Sequence, residues 1–156
     1  MNEKYKDSLY LEDFHAGDVF ITPEHKVTEE EVMEFCVMTG DMHPNHTDEE
    51  YMKHTQFGTR IAHGMLGMSL AHGLMCSMKY YEDSVISVVA VENWAFRAPV
   101  FLNDTVHTRA EVLETRESRS KPDRGILKMR YTLLTQTGVE AQQGDFVFII
   151  KKRPQE

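Results

Sequence analysis

The sequence predicts an α+β fold in which an antiparallel sheet curls around one long buried helix. Three observations carry that expectation. Residues 63–80 run without proline and are rich in Leu, Met and Ala nearly all round, the pattern of a buried helix rather than a surface one. Strand-like stretches follow, separated by turn signals at Pro99, Asn103-Asp104, Pro122-Asp123 and Thr137-Gly138. A single apolar helix cannot stand alone, so the strands must form the layer that covers it.

In chain order, residues 1–17 are polar with scattered aromatics (Tyr5, Tyr10, Phe14) and read as an arm laid on the surface. Gly17-Asp18 punctuates, and Val19-Phe20-Ile21-Thr22 reads as a short strand. Thr28 with Glu31 three residues on is a capping box, and the helix it opens turns Val32, Phe35 and Cys36 inward. Thr39-Gly40 stops that helix with a C-terminal glycine. Asp41 to Asn45 then reads as a loop stiffened by Pro44, followed by a polar helical turn from Asp48 to Lys53 and a loop at Gln56-Phe57-Gly58.

Within the long helix, steps of about 100° place Met65, Ser69, His72 and Cys76 on one side. Gly67 and Gly73 are costly inside a helix, so each marks a close approach of backbone or ligand. Val85 to Phe96, apolar and β-branched except at Glu92-Asn93, reads as a sheet-central strand. Val106, Thr108, Ala110 and Val112 alternate with polar neighbours, as do Met129, Tyr131 and Leu133. Phe146 to Ile150 closes a four-stranded meander before a charged tail, 151–156. No repeat or linker divides the chain, so residues 1–156 are expected to form one domain.

Composition narrows the function. A formal net charge of −8, with no basic run, argues against a nucleic-acid binder, whose affinity rests on Lys and Arg at phosphates. No apolar stretch approaches the roughly 20 residues a membrane helix needs, and the N-terminus lacks the apolar core of a signal peptide. Cys36 and Cys76 lie in apolar helical surroundings with no disulfide framework, which points to the cytoplasm. Most methionines fall on the apolar faces of the two helices and read as core filler.

The chemistry-bearing stretch is Asp41 to Gly73. A carboxylate and an imidazole, Asp41 and His46, stand five residues apart around Pro44, and a glycine-started helix follows. That supplies a proton-transfer pair together with helix-terminal N–H donors. Taken alone, the pair is served equally well by an Asx turn and a surface histidine. Asp41, His43 and His46 are also carboxylate and imidazole groups that suit zinc or iron, although their spacing is too loose for a signature.

Three patterns resemble the MaoC-like dehydratases. Asp41-Met-His43-Pro44-Asn45-His46 resembles the family's Asp-x-Asn-Pro-x-His motif. Phe57-Gly-Thr-Arg-Ile61-Ala-His63-Gly64-Met65-Leu66 resembles its Phe-x-x-x-Ile-x-His-Gly-Met-Leu segment. Phe96-Arg97-Ala-Pro99-Val100-Phe101 with Asp104 resembles its Phe-Lys-x-Pro-Val strand entry. The likeness runs in one order over residues 9–150. It implies a hot-dog fold and a hydratase or dehydratase acting on an α,β-unsaturated, or 3-hydroxy, acyl-CoA, with no cofactor beyond the coenzyme A of the substrate. It also implies Asp41 and His46 as the catalytic pair and the Gly64 amide as the thioester-oxygen site.

Two departures stand out: His43 replaces the usual Asn, and Asn45 a Leu or Ile. His72 stands where short-chain members carry serine, with Ser69 one turn earlier. His43, Asn45, His63, Met65, Ser69 and His72 are therefore the candidate pocket residues, and they make the pocket polar. Arg60, Arg97 and Lys121 read as solvated surface charge ahead of coenzyme A phosphate contacts. A non-catalytic acyl-CoA-binding protein and a thioesterase are the alternatives on the same fold. Neither needs the Asp-x-x-Pro-x-His loop. Open sheet edges predict a homodimer or a dimer of dimers.

Overall fold

The long helix forms where the apolar stretch places it, as α4 (Gly64–Ser77). The computed structural model describes residues 8–155, and Tyr5 of the N-terminal arm lies outside them. Leu66, Gly67, Ala71 and Met75 are buried, whereas Met65, Ser69, Gly73 and Ser77 form an exposed row. The helix is therefore two-sided, not apolar-buried all round. The expected grouping of Met65 and Ser69 with His72 and Cys76 splits accordingly, the latter pair turning toward the sheet.

The sheet covering α4 is antiparallel and comprises β1 (Val19–Ile21), β2 (His25–Lys26), β3 (Val85–Phe96), β4 (Thr105–Glu117), β5 (Arg124–Thr135) and β6 (Glu140–Lys151). Its order is β1-β4-β5-β6-β3, with β2 also on β4. The alternations in β4 and β5 hold: Val106, Thr108, Ala110 and Val112, then Leu127, Met129, Tyr131 and Leu133, are all buried. Thr108 carries a polar atom into this layer and donates its hydroxyl to the Ala71 carbonyl of α4 at 3.1 Å.

Two expectations about the strands need correction. Only β4-β5-β6 is a meander, because β3 pairs with β6 from Val85↔Ile150 to Phe96↔Gln142 and not with β4. As a result β3 is an edge strand rather than a central one, and Ile86, Val88, Val89, Val91 and Phe96 are exposed on it. Apolar residues at consecutive positions signal burial on both faces. Among the described residues β3 has neighbours on one edge only.

The N-terminal arm is also deeper than expected. Leu11 and Phe14, three residues apart across a 3₁₀ turn (Leu11–Asp13), are buried in the same cluster as Met75, Tyr131, Phe146 and Phe148. Ahead of α4, α1 (Glu29–Thr39) starts on the anticipated box: Glu31 N–H donates to the Thr28 hydroxyl and Thr28 N–H to the Glu31 carboxylate. It ends at Gly40, whose φ of 78° is the left-handed conformation glycine adopts without strain. The expected Asp41–Asn45 loop is partly helical. α2 (Pro44–Thr47) begins with Pro44 at the first position, where a missing N–H costs nothing, and α3 (Glu49–Met52) follows directly.

Candidate active site

Gly40 turns the chain out of α1 and delivers Asp41 to the surface beside two buried imidazoles. His46 on α2 is 8% exposed and His63, the residue capping α4, is 3% exposed. They stack with ring centroids 3.7 Å apart and planes 25° apart. A carboxylate oxygen of Asp41 and a ring nitrogen of each histidine lie within 4.8 Å of one another.

Each imidazole is held by a backbone carbonyl. His46 Nδ1 lies 2.7 Å from the Ile61 oxygen. A carbonyl only accepts, so Nδ1 carries the proton and Nε2 keeps its lone pair. Burial, the largest effect, holds the His46 pKa below the ordinary imidazole value, against the opposing pull of the Ile61 carbonyl. By the same logic His63 Nε2 donates to the Asp41 carbonyl at 3.0 Å, leaving buried Nδ1 without a partner among the described residues. Asn45 contributes its backbone, accepting from Ile61 N–H at 3.0 Å. Together these bonds lock α2 to the segment that enters α4.

The remaining candidates are placed differently. His43 is exposed and uses Nδ1 to cap α2 through Asn45 N–H at 3.1 Å. Ser69 donates back to the Met65 carbonyl on the exposed row. His72 does not reach the Asp41 cluster: it stacks on Phe146, centroids 5.0 Å apart and planes 9° apart, inside the aromatic core. Arg60 is tied to Glu29 and Glu49 and staples α1 to α3.

A groove of about 590 Å³ adjoins the cluster through the 61–64 segment, since Ile61, Ala62, Gly64 and Met65 line it. Of the expected pocket residues only Met65 is among its walls, next to Gly64, the expected thioester-oxygen residue. Among the described residues nothing accepts from the N–H groups of Gly64, Met65 or Leu66, so the start of α4 presents free donors there. Phe96 covers Gly64 so closely that a Cβ on residue 64 would come within 2.8 Å of its ring. The rest of the wall is mostly apolar, with Gln56, Arg97 and buried Gln142 as its polar members. Gln142 escaped the sequence analysis. The signal available was a glutamine in register with buried Gly144, Phe146 and Phe148.

The donor set also bears on a metal. Asp41, His46 and His63 cluster, but His43 is not one of the three. The two rings stack with planes 25° apart, and each offers one ring nitrogen to a cluster that could hold a metal ion.

A model of the MaoC like domain matches residues 13–132. The chain belongs to this family. This MaoC-like chain is 28% identical to the uncharacterized protein YdeM of Bacillus subtilis over 146 residues, covering 92% of this chain and 100% of that one. It is 32% identical to the (R)-specific enoyl-CoA hydratase of Aeromonas caviae over 117 residues, 75% of this chain and 81% of that one. A crystal structure titled monoamine oxidase regulatory protein, from Archaeoglobus, superposes with a TM-score of 0.87 at 30% identity, covering 96% of this chain and 99% of the other. The architecture is the hot-dog fold, shared with a double hot-dog protein of Mycobacterium tuberculosis at a TM-score of 0.84 and 19% identity. No helix among the described residues is long and apolar enough to cross a membrane.

Proposed function

We propose that this MaoC-like protein is a hydratase–dehydratase of α,β-unsaturated and 3-hydroxy acyl thioesters, with coenzyme A as the thiol. One observation carries the reading. The Ile61 carbonyl fixes His46 with its Nε2 lone pair free, near the Asp41 carboxylate and next to a groove that starts at unpaired helix-terminal amides. The relationship to the Aeromonas caviae hydratase supports it.

In the hydration direction, Nε2 of His46 removes a proton from water as its oxygen bonds to Cβ. The displaced electron pair moves through Cα to the thioester oxygen, where the Gly64 N–H and the positive end of α4 stabilise it. Collapse of that enolate takes a proton at Cα, delivered by the Asp41–His46 pair. Dehydration is the reverse. Asp41 serves as the carboxylate that holds the second proton and orients the water.

The test is loss of enoyl absorbance with crotonyl-CoA. Asp41→Asn and His46→Ala should each lower turnover by on the order of 10² or more while folding normally. Near wild-type turnover in either variant would overturn the assignment. Release of free thiol from the same substrate would instead identify a thioesterase. Binding without either reaction would identify an acyl-CoA-binding protein. Activity should survive exhaustive chelation. The unpaired edge of β3, with its exposed valines, supports a homodimer, and a monodisperse monomer by light scattering at micromolar concentration would count against that.

A further inference from the structure

We infer that Gln142 selects the acyl chain, its side-chain N–H groups donating to an oxygen carried at the γ position of a short acyl thioester. This rests on the thioester orientation proposed above. Gln142 is 3% exposed, yet it forms part of the groove wall. Its Oε1 accepts from the Trp94 indole N–H at 3.2 Å. Indole nitrogen only donates, so Trp94 fixes which end of the amide is oxygen and leaves Nε2 as the free end. Among the described residues no hydrogen bond from Nε2 accompanies the one that Oε1 accepts. Nε2 is not among the buried atoms left without a partner, so it keeps solvent contact in the groove, and a ligand that displaced that solvent would need an oxygen there to satisfy it.

The backbone around it makes room for that amide. A Cβ on Gly67 would collide with Gln142 Nε2, so a side chain at residue 67 would push the amide out of this position. Phe96 and Gln142 are cross-strand partners and share one face of the sheet. Phe96 meets Gly64 and Gln142 meets Gly67, three residues further along α4. At about 1.5 Å per residue those glycines are about 4.5 Å apart along the axis. The three bonds from the carbonyl carbon to Cγ span about 3.8 Å when extended, and an oxygen on Cγ lies about 1 Å further, a comparable length. A thioester carbonyl at the Gly64 amide therefore brings the γ substituent of the acyl chain to Gln142. A hydroxyl there gives the buried amide an acceptor, whereas a methyl leaves it unpaired, which is the kind of site that discriminates isosteres most sharply.

The experiment compares two substrates of equal size, γ-hydroxycrotonyl-CoA and pent-2-enoyl-CoA, in the wild type, Gln142→Leu and Gln142→Glu. The glutamate variant keeps an acceptor for Trp94 but removes the donor, so it separates substrate recognition from support of the indole. The wild type should favour the hydroxylated substrate by about tenfold or more in kcat/KM. Both variants should erase that preference, bringing the kcat/KM ratio of the two substrates to about one. No wild-type preference, or a preference that survives in a variant with a wild-type circular dichroism spectrum, overturns the proposal. Calorimetry with the same two trans-enoyl substrates in an Asp41→Asn, His46→Ala background adds a readout independent of turnover. A Gln142-dependent binding preference without catalysis would refute the hydratase reading and leave this one standing. Equal turnover of both enoyl substrates would do the opposite.

Discussion

His63 lies against His46 with ring centroids 3.7 Å apart, yet its own hydrogen bond goes to the Asp41 carbonyl and not to His46. One side chain thus supports both members of the proposed dyad, the imidazole through its face and the carboxylate residue through its backbone. His63→Phe keeps a ring for the stack and removes the bond to Asp41. His63→Ala removes both. We expect kcat to fall about tenfold in the first and nearer 10² in the second, the cost of displacing a catalytic group by about 1 Å. A readout beyond rate is the acid limb of the pH profile, which His63→Ala should shift by re-wetting His46. Wild-type kcat and an unmoved profile in His63→Ala would leave His63 with no positioning role.

The acid limb itself is set by the burial of His46. Burial holds His46 below the ordinary imidazole value of 6.5, so the base stays neutral as pH falls through 6.5. The acidic midpoint of kcat/KM should lie below 6.5, and a midpoint clearly above it would contradict the buried-base geometry.

His72 tests the same physics in stability. Burial alone keeps it neutral in the folded chain, with its pKa lowered, while the unfolded chain titrates it near 6.5. Below 6.5 the unfolded state binds the extra proton first, so His72 leaves stability intact above 6.5 and lowers it as pH falls from there toward the folded value. His72→Phe preserves a ring against Phe146 and removes the titration. Its melting temperature should fall less than that of wild type between pH 7 and pH 5, as read by calorimetry. Parallel melting curves across that range would show that His72 does not report on folding.

Gly67 and Gly73 are distinguishable by substitution. Gly67→Ala drives a methyl into Gln142, an overpacking change that should cost about 1–3 kcal/mol in chemical denaturation. Gly73 has open space around it and sits on the exposed row, so Gly73→Ala should stabilise by up to about 1 kcal/mol through helix propensity. Similar effects at both sites would mean that the Gly67–Gln142 contact carries no weight.

Much of this was legible in the sequence because local chemistry decided it. Thr28, Glu31 and Gly40 each satisfy backbone groups within a few residues of themselves, so the ends of α1 could be placed without knowing the fold. That Asp41 and His46 come close together was legible from their spacing around Pro44. What could not be read is what distant strands impose. The edge position of β3 depends on its pairing with β6. The role of Gln142 depends on Trp94 from one strand and Gly67 from the helix. His72 follows helical periodicity toward Ser69, but its ring is claimed by Phe146, which no local pattern announces.

The placement of β3 has a consequence during synthesis. Its partner in the sheet is β6, the last of the described strands to be made, while β4 and β5, made in between, pair with each other. A chain released early would hold a twelve-residue apolar strand with no ladder to join and an α4 without Gln142 beside Gly67. Long-range pairing of this kind is slow and leaves unpaired apolar strands open to aggregation. Truncation within the final strand should therefore yield insoluble product rather than a weakened enzyme, because the seam between β3 and β6 is where the fold becomes complete.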